Sequence, residues 1–317
     1  MKQHVAVVIP NWNGKELLGD CLRSLEKQTI RAEIILVDNG SRDGSVDYVR
    51  RHFPKVTVIE LDKNYGFAGG VNRGINHAIQ NGAAYVALFN NDAVASVPWL
   101  AQLCAVLERQ PHAGMVTGKF MRMDKKHLDS TGEFLRKNGM PYSRGRDEID
   151  RGQYDQPKKI FAATGGATLY RVKMLQETGL FDEDFFAYLE DVDLSFRAQM
   201  LGWHVMYQPT AISYHHIGKT SSKLGSFRRY HSVKNFILLY NKNMPGWLYW
   251  KYKPRFLTRL VLMGFGALRS HEFGAYLRAF GRSVLLIPST LMKRRRIQRQ
   301  RRVDSSYFAN FIGKGTV

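Results

Sequence analysis

Residues 181–197, FDEDFFAYLEDVDLSFR, pack six carboxylates (Asp182, Glu183, Asp184, Glu190, Asp191 and Asp193) among five aromatics and two leucines. Carboxylates set among apolar side chains lose solvation, which raises their pKa unless cations or hydrogen bonds compensate, and a general base or a metal site exploits that setting. Glu190, Asp191 and Asp193 lie within one helical turn, and Arg197 follows Asp193 at i,i+4. Asp191 or Glu190 is therefore the candidate base, and Asp193 with Arg197 a local ion pair. The competing reading is an acidic helix start solvated at the surface, where the macrodipole favours Asp and Glu. A base needs a substrate, and the rest of the chain has to supply the pocket.

The elements that must build that pocket are legible from periodicity. Residues 5–9 form a continuous apolar run closed by Pro10 and Asn11, as expected of a strand buried on both faces. Leu17, Leu18, Cys21, Leu22 and Leu25 recur at helical spacing, and the alternation continues with strands at 34–37, 56–61, 85–89 and 115–117 and helices at 45–53, 71–80 and 97–109. Strand and helix alternating through short loops predict a parallel sheet with helices on both faces and right-handed crossovers. Ligands in such sheets bind outside the carboxyl ends of the strands. Those ends carry Pro10-Asn11-Trp12-Asn13-Gly14, Asp38-Asn39-Gly40-Ser41 and Asn90-Asn91-Asp92, so three strand ends converge on one rim.

Between them, residues 64–74 (NYGFAGGVNRG) read as a glycine-rich loop that allows close backbone approach to a ligand and opens a helix facing a phosphate. Residues 119–159 are polar and lack clear periodicity, which predicts a loop or hairpin insertion over the site, and such length favours a functional lid. Residues 162–170 (AATGGATLY) read as a glycine-containing strand bordering a ligand, 203–207 as one more strand, and 212–222 carry His215 and His216.

With 317 residues and 44% hydrophobic content the chain can bury a full core, and its length suggests about two domains. The net charge of +20 is unevenly placed: residues 1–200 hold 26 Lys and Arg against 25 Asp and Glu, while residues 201–317 hold 21 against 2. Such asymmetry points to a polyanionic partner, either nucleic acid or an anionic membrane. Cys21 and Cys104 sit in apolar helical patterns and read as buried thiols of a reducing compartment, with neither a disulfide framework nor a zinc site. The first apolar run is too short for a signal-peptide core, so a cytoplasmic location is expected. PNWNG stands where a dinucleotide fingerprint would follow the first strand, which argues against a dehydrogenase. A Walker A loop would need glycine at Ser213, so Gly218-Lys219-Thr220 reads as a chance tripeptide.

Taken in order, VAVVIPNWNG, LVDNGSRDGS, NYGFAGGVNRG, FNNDA, TGGATLYR, FDEDFFAYLEDVDLSFRAQMLGW and a following histidine resemble inverting glycosyltransferases of family 2, especially the bacterial rhamnosyltransferase-like branch, over about residues 4–240. The resemblance implies a GT-A fold with a Rossmann-like mixed sheet and helices on both faces. It also implies a nucleotide-sugar donor, dTDP- or UDP-linked, and a divalent cation, Mg2+ or Mn2+. On this resemblance Asp38 accepts a hydrogen bond from the pyrimidine base, and Asn64, Gly70 and Asn72 contact the donor. The strand-end residues Pro10, Asn11, Asn13 and Asn91 and the glycines Gly165 and Gly166 complete the expected donor site.

Asn90-Asn91-Asp92 occupies the place of the family's D-x-D motif, whose carboxylates hold the cation against the diphosphate. Asn90 departs from that pattern and leaves Asp92 as the carboxylate there. His215 matches the histidine that can complete the metal site, with His216 as the adjacent alternative. Asp191 and Glu190 match the family's Glu-Asp pair, Asp191 as base and Glu190 as an acceptor-hydroxyl or structural contact. The implied reaction moves a sugar, rhamnose among the candidates, to a hydroxyl of a lipid-linked or polysaccharide acceptor in cell-surface glycan assembly.

After Phe227 the composition turns aromatic, aliphatic and basic, which sets an expected boundary between a catalytic domain at 1–226 and a basic amphipathic helical tail at 227–317. The longest uncharged apolar run, 283–292, falls short of the ~18 residues a spanning helix needs. Phe273, Leu277, Phe280, Val284 and Leu291 recur near helical spacing with Arg278 and Arg282 opposite, the pattern of a helix lying in a membrane interface. KRRRIQRQRR follows, each cation contributing about 1 kcal/mol at an anionic leaflet before screening. Peripheral attachment to the inner face of the cell membrane is the expectation, and a helix pair packed on the catalytic domain the alternative. A nucleic-acid-binding protein would explain the tail but leaves the carboxylate cluster without a purpose, so no nucleic-acid partner is expected. A sugar nucleotidyltransferase would share the α/β architecture and metal use and would release pyrophosphate.

Overall fold

The structure is a computed structural model that describes residues 4–216 and 225–313. The Gly218-Lys219-Thr220 tripeptide lies outside them. The first half of the chain forms β1 (Val5–Asn11), α1 (Lys15–Glu26), β2 (Glu33–Asp38), α2 (Ser45–His52), β3 (Thr57–Glu60), α3 (Gly66–Gln80), β4 (Tyr85–Phe89), β5 (Ala93–Ala95), α4 (Trp99–Arg109) and β6 (Ala113–Arg122). Four short strands follow, β7 (Leu128–Ser130), β8 (Glu133–Leu135), β9 (Pro141–Ser143) and β10 (Lys158–Ile160). Then come β11 (Ala167–Arg171), α5 (Val172–Thr178), α6 (Glu190–Met200), β12 (His204–His215), α7 (Gly225–Asn243), α8 (Gly246–Arg269), α9 (Phe273–Gln300) and α10 (Ser305–Ala309).

The main sheet has the order β10-β12-β6-β11-β4-β1-β2-β3, with β5 paired to β12 and β7 to β6, while β8 and β9 form a separate hairpin. β1 is parallel to β2 and β4, β2 to β3, and β12 to β6, but β11 runs antiparallel to both β4 and β6. The all-parallel sheet that alternation alone predicts is thus corrected to a mixed one. The cause is the insertion at 119–159: no helix carries the chain back to the far edge, so it re-enters from the rim and must run the other way.

Alternate residues of β1 face opposite layers. Val5, Val7 and Ile9 pack with Leu18, Leu22, Leu103 and Leu107 of α1 and α4, while Ala6 and Val8 pack with Val71 and Ile75 of α3. The expected glycine-rich loop is also corrected, because α3 already begins at Gly66. Its glycines serve packing. A Cβ on Gly70 would meet Asn39 Nδ2 at 2.5 Å and one on Gly74 would meet Val8 Cγ1 at 2.5 Å, so only bare backbone lets this helix sit on the sheet.

The expected boundary at 226/227 is not marked by any gap in the core. Val233, Phe236 and Tyr240 of α7, Phe256 of α8 and Phe308 of α10 belong to the same buried cluster as Val8, Val37 and Phe196. α9 has its amphipathicity inverted: Ala275, Ala279, Ser283 and Thr290 are buried, whereas Leu277, Phe280, Val284 and Leu291 are exposed. Small residues let α9 lie close to α7, and the large apolar ones point outward. α8 buries Leu248, Tyr252, Phe256 and Leu260 and leaves Trp250, Val261 and Phe265 exposed. Among the described residues no helix is long and apolar enough to cross a membrane.

Candidate active site

A cavity of about 1020 Å³ opens at the carboxyl ends of β1 and β4, lined by Pro10, Asn11, Asn64, Asn90, Asn91, Asp92, Gly165, Gly166, Glu190, Asp191 and His215. The rim carboxylate Asp92 and the acids at the start of α6 thus share one space. A hydrogen-bonded chain ties the strand ends together. Asn91 Nδ2 donates to Asn11 Oδ1 (2.8 Å), and Asn11 Nδ2 donates to Asp38 Oδ1 (2.9 Å).

Four of the residues expected to contact the donor lie outside the cavity lining. Asp38 is 2% exposed and also accepts from the Ser41 N–H (2.8 Å), so it shapes the rim through Asn11. Asn13 is exposed and accepts from the Arg42 N–H, and Gly70 packs on Asn39. Asn72 donates to the Phe181 carbonyl (2.9 Å) and accepts from its N–H (3.0 Å), which pins the acidic segment to α3. His216 is not part of the lining either. Its N–H donates to the Asp92 carbonyl (2.9 Å).

The six carboxylates of 181–197 divide by partner. Asp193, fully buried, accepts from Arg197 Nε (2.9 Å), Lys242 Nζ (2.9 Å) and Asn243 Nδ2 (2.7 Å). Burial alone would raise its pKa, but Lys242 and Arg197 hold it below the usual carboxylate range. Asp182 binds Lys242 and Lys293, Asp184 binds Lys293, and Glu183 binds Arg73. Only Glu190 and Asp191 face the cavity. Asp191 Oδ2 accepts from the Gly165 N–H (2.8 Å) and Oδ1 from the Val192 N–H (2.8 Å). Burial raises its pKa against these two hydrogen bonds. Burial, with the Asp191 charge beside it, pushes Glu190 well above the ordinary carboxyl value, and its Oε2 has no hydrogen-bond partner. Burial thus raises the pKa of both members of the pair, and Glu190 feels the Asp191 charge in addition.

The approach to those acids is a strained loop. Phe186, Tyr188 and Leu189 have φ of 65°, 72° and 68°, left-handed values that cost non-glycine residues about 1–2 kcal/mol each. Asn235 of α7 holds them there: its Nδ2 lies within hydrogen-bond distance of the carbonyls of Phe185 (2.9 Å), Ala187 (2.7 Å) and Tyr188 (2.6 Å). Lys234 adds contacts to the Asp184 and Phe185 carbonyls. The basic C-terminal third therefore builds one wall of the cavity.

At the carboxyl end of β12, His215 sits between two carboxylates, with Nε2 3.2 Å from Asp92 Oδ1 and Nδ1 2.8 Å from Asp129 Oδ2. Burial would lower its pKa, but Asp129 and Asp92 raise it to about 9. Among the described residues no three His, Cys, Asp or Glu side chains form a ready metal cage. Asp92 Oδ1 is nonetheless buried with no hydrogen bond beyond its charge contact with His215 Nε2 at 3.2 Å. A cation taking the place of the Nε2 proton would find Asp92, His215 and an Asp129-oriented imidazole, the carboxylate–histidine–metal arrangement. These residues fit a divalent ion that draws its remaining ligands from substrate.

Several cavity residues escaped the sequence reading. Asp129, Glu133, Arg136 and Arg146 all come from the 119–159 insertion, and Phe120 stacks on His215 at 4.7 Å. The expected insertion over the site is present, but the aperiodic stretch gave no sign of which side chains turn inward. Glu133 accepts from Ser130 Oγ (2.9 Å) and Ser143 Oγ (3.0 Å). Burial, reinforced by Asp191, raises its pKa from 4.5 to about 7. A carboxyl whose folded pKa is raised contributes stability that is complete below its unfolded value and is lost as pH climbs through 7. Glu133→Gln, which keeps both hydroxyl partners, is expected to match the parent near pH 4.5 and exceed it above pH 7 by on the order of 3 kcal/mol. Melting curves at pH 5 and pH 8 check this, and an identical offset at both would show that Glu133 titrates normally.

With this geometry established, a family model described as Glycosyl transferase family 2 matches residues 6–179. The chain is 26% identical over 275 residues to the N-acetylglucosaminyl-diphospho-decaprenol L-rhamnosyltransferase of Mycobacterium tuberculosis, covering 79% of this chain and 86% of the relative. It is 25% identical over 252 residues to the dTDP-rhamnosyl transferase RfbF of Shigella flexneri, covering 77% and 82%. Among solved structures, GalNAc-T7 with UDP, GalNAc and Mn2+ superposes with a TM-score of 0.63 at 17% identity, covering 80% of this chain and 49% of that one. The mannosyltransferase PcManGT of Pyrobaculum calidifontis with GDP-Man and Mn2+ gives 0.57 at 17% identity, covering 98% and 87%. The mixed sheet is the GT-A fold.

Proposed function

Since this chain belongs to glycosyl transferase family 2 and is a glycosyltransferase, we propose that it moves a sugar from a dTDP- or UDP-linked donor to a hydroxyl of a lipid-linked glycan in cell-surface assembly. The named activities of the two bacterial relatives make rhamnose the first candidate sugar. The observation that carries the reading is that Asp92 and Asp191 line one cavity, of a size suited to a nucleotide sugar together with the acceptor hydroxyl.

Asp191 takes the proton of the acceptor hydroxyl as its oxygen bonds to the anomeric carbon. The bond from that carbon to the diphosphate breaks on the opposite face, its electron pair leaves with the nucleotide, and the configuration inverts. The burial that raises the Asp191 pKa makes it a stronger base, and the Gly165 and Val192 N–H groups fix its direction. Glu190, whose pKa burial raises, lines the same space and can contact the acceptor hydroxyl. Asn11, held by Asp38 and Asn91, presents a polar wall to the donor. Asp92 and His215, with Asn90 beside them, would hold Mg2+ or Mn2+, which when bound neutralises charge on the diphosphate.

The outward faces of α8 and α9 support attachment to an anionic membrane from its inner side. Trp250 and Leu285 are each 73% exposed, and residues 201–317 hold 21 Lys and Arg against 2 acids. Apolar surface ringed by cations is the combination that binds an anionic bilayer peripherally.

A panel of nucleotide sugars, with Mg2+, Mn2+ or chelator, tests the reading when scored for donor turnover and for sugar transferred to a polyprenyl-diphosphate-linked acceptor, with vesicle co-sedimentation run alongside. Turnover is expected for one donor class, with Asp92→Asn losing Mn2+ binding by titration calorimetry. Release of pyrophosphate without glycoside formation would instead favour a nucleotidyltransferase. Retention on anionic vesicles should fall as salt rises, and indifference to vesicles would remove the membrane role.

A further inference from the structure

Beside the catalytic cavity lies a second, smaller cleft of about 330 Å³ between the turn joining β8 to β9 and the side of α8, lined by Arg136, Lys137, Arg255, Thr258 and Arg259 among others. Four cations border it, and among the described residues no carboxylate pairs with any of them. Arg259 Nε is buried without a hydrogen-bond partner. Guanidinium groups without carboxylate partners gathered around one open cleft, Arg259 half-buried and the other cations exposed, are able to bind a phosphoryl anion through forked hydrogen bonds. Arg136, stacked on Tyr142 at 4.8 Å, lines both this cleft and the catalytic cavity, so the two spaces adjoin.

Position on the helix adds a second argument. At 3.6 residues per turn, Arg255 and Arg259 form a stripe of α8 that lies between its buried stripe, Tyr252 and Phe256, and its exposed apolar stripe, Val261 and Phe265. If the apolar stripe enters a bilayer, the arginines stand at the level of the lipid phosphates. An acceptor glycan joined to a lipid through phosphoryl groups has its charge at that same level.

We propose that the Arg136–Lys137–Arg255–Arg259 cleft is the subsite for the phosphoryl groups that link the acceptor sugar to its lipid. This rests on the glycosyltransferase reading above and deepens it. The cleft thereby selects a lipid-diphosphate acceptor over a neutral glycoside and sets how far the sugar reaches toward Asp191. A free phospholipid headgroup shares the chemistry, but the continuity with the catalytic cavity through Arg136 favours the acceptor.

The test uses the full chain and Arg255→Gln/Arg259→Gln, neither residue being part of the catalytic cavity. Two acceptors with the same sugar are compared, one on a short-chain polyprenyl diphosphate and one a neutral alkyl glycoside. The double variant is expected to raise KM for the diphosphate acceptor at least tenfold, with kcat, donor KM and KM for the alkyl glycoside unchanged within about twofold. Equal effects on both acceptors, or none on either, overturn the subsite. Loss of anionic-vesicle binding with the acceptor preference intact assigns the cleft to phospholipid and also overturns it. Titration with inorganic pyrophosphate under chelator gives an independent readout: the parent should bind and the double variant should lose that binding. This holds even if no donor is turned over, in which case the catalytic reading fails and the titration alone decides the cleft.

Discussion

Asp191→Asn is expected to lower sugar transfer by about 10²–10⁴-fold, the range that a positioned proton acceptor contributes, while donor affinity stays within about twofold. The asymmetry follows from placement: Asp191 sits at the first turn of α6 and is held by the Gly165 and Val192 N–H groups, with no hydrogen bond to Asn11, Asn91 or Asp92. An amide at this position puts an NH2 against one of those N–H donors, so a melting curve must accompany the kinetics. If Asp191→Asn melts with the parent, binds nucleotide sugar and still turns over normally, Asp191 is not the base. Glu190 would then take the role, and its raised pKa would set a rate that climbs with pH.

Lys242→Met is expected to cost about 3–5 kcal/mol of stability, because removing one member of a buried ion pair leaves uncompensated charge behind. Lys242 lies 2.6 Å from Asp182 Oδ2 and 2.7 Å from Asp193 Oδ1, and Asp193 is fully buried. The pKa values of Asp182 and Asp193 are both depressed in the folded chain, so their contribution is complete above the ordinary carboxyl value and lost as pH falls through the folded one. The gap between variant and parent should therefore narrow in acid. Urea denaturation at pH 7 and again near pH 3 measures both, and a loss under about 1 kcal/mol at neutral pH would mean that Arg197 and Asn243 suffice for Asp193.

Strand ends and carboxylates were readable for different reasons. The runs at 5–9 and 85–89 are continuously apolar and end in a clear stop, which by itself puts Asn11 and Asp92 on one rim. The Asp193–Arg197 pair followed from helical spacing alone and is present at 2.9 Å. What spacing could not reveal is partnership across the chain. Asp129 meets His215 from 86 residues away, and Lys242 reaches Asp182 across 60, neither with any local signature. Glycines misled for a related reason: Gly70 and Gly74 look alike whether a ligand or a neighbouring strand needs the room. Of the six clustered carboxylates, Glu190 and Asp191 line the cavity. The other four are met by Lys, Arg and Asn side chains, several from the basic C-terminal third.

The clamp of Asn235 on the left-handed turn before α6 bears on how this wall of the cavity can be rebuilt. A loop whose shape is imposed from α7 cannot be grafted as a cassette: transplanting 185–189 into another scaffold carries the side chains but leaves behind the amide that bends them. Swaps intended to reshape the cavity would have to exchange the two segments together.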